Sequence, residues 1–184
     1  MRLTDQQMLT LWRRACRLES ARSDCSIDEY DGYNITAAMM MDMRLWYLNL
    51  LDTAELRHLV LTDITAKLKI KQAADGVWCF SLPTDTRRLV SIHVEGCAHT
   101  IVVINADDAQ RLITLNSNRY SRSGMTNPVA ILRGREVTLY CNTADGNAPT
   151  ISSTQAVEDP GDEYYDLNES ALSLIPKNIS YINE

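Results

Sequence analysis

Hydrophobic and polar residues alternate along two neighbouring stretches near the middle of the chain. Residues 67–71 alternate lysine with leucine or isoleucine, and residues 77–82 place Trp78, Phe80 and Leu82 on one face. An Asp-Gly pair at positions 75 and 76 lies between them, and this pair favours a tight hairpin turn. The pattern therefore predicts a β-hairpin over residues 67–82. A run rich in β-branched residues predicts a further strand over residues 89–94.

The first third of the chain has the spacing of α-helices. Thr4 followed three residues later by Gln7 is typical of a helix start, because the two side chains can cap each other's backbone. Hydrophobic residues then recur at helical spacing, which predicts a first helix from Thr4. These residues are Met8, Leu11, Trp12, Ala15 and Leu18.

A second helix is predicted from Ile35 to about Thr53. Its hydrophobic residues cover a wide arc, which is typical of a helix packed between neighbours. A methionine-rich adaptable interface is the alternative. A short third helix is predicted over residues 53–61. The two stripes of the second helix are Met39, Met43, Trp46 and Leu50, and beside them Met40, Tyr47 and Leu51.

The remaining chain reads as strands, turns and polar segments. Strands are predicted over residues 100–104, 129–132 and 137–141, the last two forming a hairpin, and an edge strand over residues 151–157. Asp107 and Asp108 favour a helix start, since acidic side chains stabilise a helix N-terminus. Residues 116–127 form a polar loop.

These elements predict an α+β fold. A helical bundle in residues 1–65 is expected to pack on an antiparallel sheet formed by residues 66–157. An acidic linker and a C-terminal docking tail are expected in residues 158–184. Together these regions are expected to form one compact domain.

Composition narrows the class of protein. The chain has 184 residues, 45% of them hydrophobic, and a net charge of −6, which disfavours tight binding to nucleic acid. Its five cysteines contain no Cys-x-x-Cys pair, so buried free thiols are favoured over a metal or redox site. The start of the chain has no secretory signal and no stretch has membrane-spanning length, so we expect a protein made in the cytoplasm that contacts no membrane.

No motif for catalysis is present. The sequence has no phosphate-binding glycine loop, no nucleophile elbow and no His-Glu-x-x-His. His58, His93 and His99 are scattered, and a hydrogen-bonded structural role is favoured for His93. We therefore predict no catalytic residue, no cofactor, no metal and no enzymatic activity. A pocket joining His93, Cys79 and a carboxylate would reverse this prediction.

Three groups of residues are candidates for contact with another subunit or protein. One is a basic face of the first helix, one is a basic and aromatic loop, and one is an apolar face in the tail. For the first two, an ordinary solvent-exposed helix face or loop is the alternative. For the tail, the alternatives are docking on its own sheet or on a neighbour, and Pro176 is expected to interrupt any helix. The groups are Arg13, Arg14 and Arg17; Arg119, Tyr120 and Arg122; and Leu172, Ile175, Ile179 and Ile182.

Three segments together resemble a known family. They are the helix pair TDQQMLTLWRRACR and AAMMMDMRLWYLNLL, the turn and strand FSLPTDTRRLVSIHVEG, and the hairpin RYSRSGMTNPVAILRGREVTLYC. Their order is similar to that of the head-to-tail connector, or tail-adaptor, proteins of short-tailed bacteriophages, including the ring proteins of crAss-like phages.

The resemblance implies a structural virion protein at the head-tail interface. Such proteins form a homo-oligomeric ring, commonly of twelve copies, beneath the portal protein and next to a further tail or ring protein. Double-stranded DNA passes through the channel without sequence-specific binding. We expect an acidic channel, because negative charge repels phosphate. The Arg face of helix one and the acidic linker offer opposite charges for the two different faces that a ring subunit needs.

Two other functions are compatible with the residues. One is a bacterial adaptor module that binds a protein without forming a ring. The other, less favoured, is a small soluble enzyme, which would require a deep pocket with convergent ionisable groups.

Overall fold

The computed structural model describes residues 1–15, 29–30, 33–74, 77–97, 99–108, 128–141, 147–162 and 164–177. The architecture is mixed α+β, which confirms the predicted class at that level. The chain divides into two compact units: unit 1 comprises Met1–Val60 with Glu158–Glu184, and unit 2 comprises Leu61–Val157.

The described residues form two α-helices, three 3₁₀-helices and twelve strands. The α-helices are α1 (Asp5–Ala15) and α2 (Ile35–Thr53), and the 3₁₀-helices are Leu56–His58, Thr65–Lys67 and Glu169–Leu174. The strands are β1 (Arg2–Thr4), β2 (Glu29–Tyr30), β3 (Tyr33–Asn34), β4 (Thr62–Asp63), β5 (Lys71–Ala74), β6 (Val77–Ser81), β7 (Thr86–Val94), β8 (Val102–Asn105), β9 (Val129–Arg133), β10 (Glu136–Tyr140), β11 (Ile151–Glu158) and β12 (Tyr164–Asp166).

Both α-helices of unit 1 begin at side-chain caps. The Thr4 backbone N–H donates to the Gln7 side chain at 3.0 Å, and the Gln7 N–H donates to the Thr4 hydroxyl at 3.4 Å. This reciprocal pair confirms the predicted start of the first helix. At the start of α2, the Asn34 side chain accepts from the Ala37 N–H at 2.8 Å. The predicted range of the second helix is also confirmed, since α2 spans Ile35–Thr53.

The two ends of the described chain meet in unit 1. Strands β1 and β12 pair antiparallel, and Arg2 lies opposite Asp166. The terminal amine of Met1 donates to the Leu167 carbonyl at 2.6 Å. The ring of Tyr165 then packs edge-on against that of Tyr47, with 5.0 Å between centroids. Helix α1 contacts both α2 and β12, so the tail completes the core that the helices begin.

Unit 2 consists of two sheets. The larger has the order β5-β6-β10-β9-β8 and is antiparallel except for the parallel pair β8 and β9. The smaller has the order β4-β11-β7. The predicted hairpin is confirmed: β9 and β10 pair around a two-residue turn in which Gly134 has φ +57°, a conformation that glycine adopts without strain.

The core of unit 2 gathers the inward residues of these strands. Alternate positions of β6 and β10 are buried, as period-two strands require, and the Trp78 indole N–H donates to the Cys141 carbonyl at 3.1 Å. The buried set comprises Ile64, Trp78, Phe80, Leu82, Ile92, Val94, Ile101, Ala130, Val137, Leu139, Cys141, Ile151 and Ala156.

The sequence pattern predicted the first strand of the hairpin too early in the chain. Residues 65–67 form a 3₁₀-helix, and the strand begins only at Lys71. The Asp63 carboxylate accepts from both the Thr65 N–H, at 2.9 Å, and the Thr65 hydroxyl, at 2.5 Å. This local turn competes with strand formation, and it overrides the period-two pattern.

Two further predicted elements are corrected. The third helix is a single 3₁₀ turn, Leu56–His58, because the chain is extended at Ala54 and again at Glu55 and Leu59. Strand β11 was expected at an edge, yet it is the central strand of its sheet. Strand β4 pairs with Gln155 and Ala156 of β11. Because β4 is only two residues long, it shows no alternating pattern by which the sequence could predict it.

Asp107 and Asp108 do not begin a helix within the described residues. The Asp108 N–H donates to the Asn105 carbonyl at 3.0 Å, which closes a turn. Residues 109–127, which include the predicted continuation of this helix and the predicted polar loop, are outside the described residues. Among the helices that are described, none is long and apolar enough to cross a membrane.

Candidate functional site

The predicted basic residues of the first helix lie at its C-terminal end. Arg13 is half-buried, and its guanidinium donates to the Thr36 hydroxyl at 2.9 Å. Arg14 is exposed, and Arg17 lies outside the described residues. Arg13 therefore links α1 to the first turn of α2 within unit 1. Both arginines in the last turn also interact favourably with the negative end of the helix dipole.

The other predicted contact residues are described only in part. Arg119, Tyr120 and Arg122 lie outside the described residues, as do Ile179 and Ile182. Leu172 is half-buried within the 3₁₀-helix Glu169–Leu174, and Ile175 is buried. That helix ends before Pro176, as expected for a segment that proline interrupts.

Helix α2 has one buried face and one exposed hydrophobic face. Ile35, Met39 and Met43 begin the buried face, but Met40, Met41 and Leu45 are 37%, 68% and 59% exposed. The expectation that the wide hydrophobic arc is packed between neighbours therefore holds for only part of it, and Met40 is not a core residue. Exposed hydrophobic residues on one helix face are typical of a contact surface. We call Met40, Met41 and Leu45 the α2 outer face.

Polar contacts join α2 to the tail segment of unit 1. The Arg44 guanidinium lies 2.7 and 2.8 Å from the carboxylate oxygens of Asp159, and 3.2 Å from Asp162. The Trp46 indole N–H donates to the Leu174 carbonyl at 3.2 Å. Both partners belong to the tail segment, so these contacts attach the tail to α2.

The buried tyrosines reinforce the same arrangement. The Tyr47 hydroxyl accepts from the Asp166 N–H at 3.0 Å. Burial raises the pKa of Tyr47 above its ordinary value, because the charged phenolate loses its hydration. Burial, followed by the negative charge of Asp5, raises the pKa of Tyr165 to about 12. Both groups remain neutral at physiological pH, where they stabilise the helix and tail together.

Unit 2 contains a half-open groove of about 560 Å³. Its walls are the first half of β7, the end of β8 and the turn between β9 and β10. Leu89, Val103 and Leu132 supply apolar surface, while arginines provide charge. Three arginines and one aspartate line it, so the groove is positive in a chain whose net charge is −6.

None of the three histidines lines this groove. His93 Nε2 lies 3.0 Å from the Thr100 hydroxyl oxygen, and His58 Nδ1 lies 2.9 Å from that of Ser170. Cys79 is also absent from the groove lining. Within the described ranges, no group of three or more His, Cys, Asp or Glu side chains could hold a metal ion.

The sequence contains a pattern that indicates the α2 outer face, but no pattern that indicates the groove of unit 2. The α2 outer face was visible as an unusually wide hydrophobic arc, for which an interface was the alternative to burial. The groove joins residues 82–90, 103–108 and 132–135, which are far apart in sequence. No local spacing could identify it, since it depends on how two sheets separate.

No protein-family model matches this chain, and no curated protein is detectably similar to it.

Proposed function

We propose that this protein is a non-enzymatic structural component of a tailed bacteriophage, a portal-to-tail connector that forms a ring. The observation that carries the proposal is the α2 outer face, where three large hydrophobic side chains are exposed along one helix. Burying this face against another subunit would remove it from water, which favours association. The resemblance to tail-adaptor proteins supports a ring over other assemblies.

In the proposed ring, each subunit presents two different faces. Cyclic assembly requires a patch on one subunit to fit a different patch on the next. We propose that the α2 outer face is one of them, that the helices of residues 1–65 lie around the DNA channel, and that the β region of residues 66–157 faces outward or towards the next ring. We also propose an acidic channel lining, which repels DNA phosphate. A structure of the ring with a channel lined mainly by Arg and Lys would contradict the proposed acidic lining.

The test is co-assembly with the portal protein of the same virion, observed by negative-stain imaging and light scattering. The wild-type protein is expected to form closed rings on the portal. A variant with Met41→Glu and Leu45→Glu should fail to do so, because it places charge in the contact. Leu61→Glu is the control, since Leu61 is 40% exposed in unit 2 and is not part of the α2 outer face.

Three results would reject the proposal. One is a wild-type protein that stays monomeric both alone and with the portal. The second is a double variant that assembles as well as the wild type. The third is turnover of a substrate by the purified chain.

The adaptor module remains the second candidate, because the groove of unit 2 favours it. A half-open groove with apolar walls and a few charged groups is typical of a binding site. A protein that binds a partner through the groove but never forms rings would support this function instead.

A further inference from the structure

Two sheet edges separate in unit 2 and leave a gap between them. Strand β7 is at the edge of the smaller sheet and β8 is at the edge of the larger. In the described residues they are joined by one antiparallel bridge, Ile92 with Ile101, where the Ile101 N–H donates to the Ile92 carbonyl at 2.9 Å. Continuing this register would place Val90 opposite Val103. Instead, both residues line the groove.

The next two facing residues of β7 and β8 are also unpaired with each other. Arg88 would lie opposite Asn105 in a continued ladder, and these two residues also line the groove. The facing edges of β7 and β8 therefore form no ladder with each other beyond the bridge. Edge strands present backbone donors and acceptors that can pair with an added strand. The groove thus has the form of a slot for an extended segment.

A buried hydroxyl in the wall of the groove has no hydrogen-bond partner among the described residues. Thr86, the first residue of β7, lines the groove and is only 4% exposed. Its Oγ1 is buried and forms no hydrogen bond with the described residues. A buried polar group without a partner is costly. Because this oxygen is not exposed to the groove, it does not identify the ligand.

The charge of the groove identifies the type of ligand. Arg87, Arg88 and Arg135 line it, opposed by the single carboxylate of Asp108. The Arg135 side chain is exposed and forms no salt bridge with any part of the chain that the structure describes. Guanidinium groups bind carboxylates and phosphates with paired hydrogen bonds. The ligand is therefore expected to be anionic.

We propose that this groove binds an extended acidic peptide segment of a partner protein by strand addition. The peptide backbone would pair with the free edges, its carboxylates would bind the arginines, and its small apolar side chains would contact Val90 and Val103. A nucleic acid would leave these apolar walls unused and would face a chain of net charge −6. The inference is independent of ring formation, since it concerns unit 2 and not the α2 outer face.

The test uses the full chain and labelled hexapeptides in fluorescence anisotropy. An alternating Val-Glu peptide is expected to bind, and alternating Val-Lys should not. Arg135→Glu should weaken binding about tenfold or more, since charge pairs at a binding site are worth at least one such factor. Arg133→Glu is the matched control: Arg133 is an exposed arginine at the same turn but does not line the groove.

A second measurement separates strand addition from simple charge attraction. N-methylation of alternate peptide amides removes backbone donors without changing charge, and it should abolish binding. Hydrogen exchange at the amides of Val90 and Val103 should slow on peptide addition. Circular dichroism and Trp78 fluorescence check that each variant is folded.

Several results would overturn the proposal. They are the absence of binding by the Val-Glu peptide, equal binding by its N-methylated form, and equal loss of affinity in the Arg133 and Arg135 variants. Tighter binding of single-stranded oligonucleotide or inorganic phosphate than of the peptide would also overturn it, and would identify a phosphate site instead. Failure of ring assembly would leave these readouts unchanged, so the two proposals can fail separately.

Discussion

One guanidinium in unit 1 binds two carboxylates whose surroundings differ. Arg44 and Asp159 are only 19% and 17% exposed, whereas Asp162 is 96% exposed. Asp159 also accepts from the Gly161 N–H at 3.1 Å. Ion pairs screened from water contribute more than exposed ones, and breaking them leaves a buried charge without compensation. Substituting each aspartate in turn therefore compares the stability contribution of a shielded ion pair with that of an exposed one.

We predict that Asp159→Asn lowers the free energy of unfolding by about 2 kcal/mol, the scale of a hydrogen bond to a charged group. Asp162→Asn is the matched control and should cost less than about 0.5 kcal/mol, as exposed pairs do. Urea unfolding followed by tryptophan fluorescence measures both. Equal costs for the two substitutions would show that Asp159 does not hold Arg44 as the structure indicates.

The raised pKa of Tyr165 predicts a loss of stability in alkali. Its pKa is about 12 in the folded chain against an ordinary value of 10.0, so the unfolded chain loses this proton first. Between these values the folded state binds more protons, and stability falls as pH rises. Below pH 10 the contribution is fully present. We therefore expect the unfolding free energy to decline from about pH 10 towards pH 12.

Tyr165→Phe should reduce that decline, because the variant has no hydroxyl to titrate at this position. Tyr164→Phe is the control, since Tyr164 is exposed and its ring lies under Arg2 at 5.5 Å, a contact that phenylalanine preserves. Denaturant unfolding at several pH values, with tyrosinate absorbance recorded in parallel, gives the comparison. An identical alkaline decline in both variants would exclude Tyr165 as its source.

At the scale of elements, the sequence correctly predicted those helices and strands whose formation depends on residues close together in the chain. Helix α1 begins where the Thr4 and Gln7 pair predicts, and α2 follows its apolar run, because caps and helical periodicity act within a few residues. The hairpin of β9 and β10 also follows from its Gly turn. These elements needed no knowledge of distant residues.

Other elements depended on contacts that sequence spacing does not contain. The period-two pattern of residues 67–71 gave way to a turn at Asp63 and Thr65, which the Thr154 N–H extends by donating to the Thr65 hydroxyl at 2.7 Å. Strand β11 is central because a two-residue strand lies beside it. A hydrophobic arc on α2 could not show by itself which part would be buried, since that depends on distant residues such as Tyr165 of the tail, which packs against Tyr47.

At the scale of the whole molecule, the two units differ in how the chain builds them. Unit 2 is one continuous stretch, Leu61–Val157, whereas unit 1 combines both ends of the chain. In unit 1, β12 pairs with β1, and Tyr165, Leu167 and Ala171 of the tail are buried. The tail is therefore a structural part of unit 1, and its removal would expose the hydrophobic face of α2.

We predict that deleting residues 159–184 unfolds unit 1 and leaves unit 2 folded. The three tryptophans report on the units separately: Trp12 and Trp46 lie 5.7 Å apart in unit 1, and Trp78 is buried in unit 2. In a Trp78→Phe background the truncated chain should show the red-shifted fluorescence of exposed indoles. In a background with Trp12→Phe and Trp46→Phe, Trp78 should keep its buried spectrum and a cooperative urea transition.

The full-length chain in each tryptophan background is the control, because the substitutions themselves remove aromatic contacts. The truncated protein would lose the buried Leu167 and Ile175 of the tail, and burial of such side chains is worth about 1.5 to 3 kcal/mol each, so unit 1 cannot compensate with its helices alone. If the truncated chain keeps the native fluorescence of Trp12 and Trp46, unit 1 folds without the tail and the prediction is wrong. Loss of the Trp78 transition as well would show that the units fold as one.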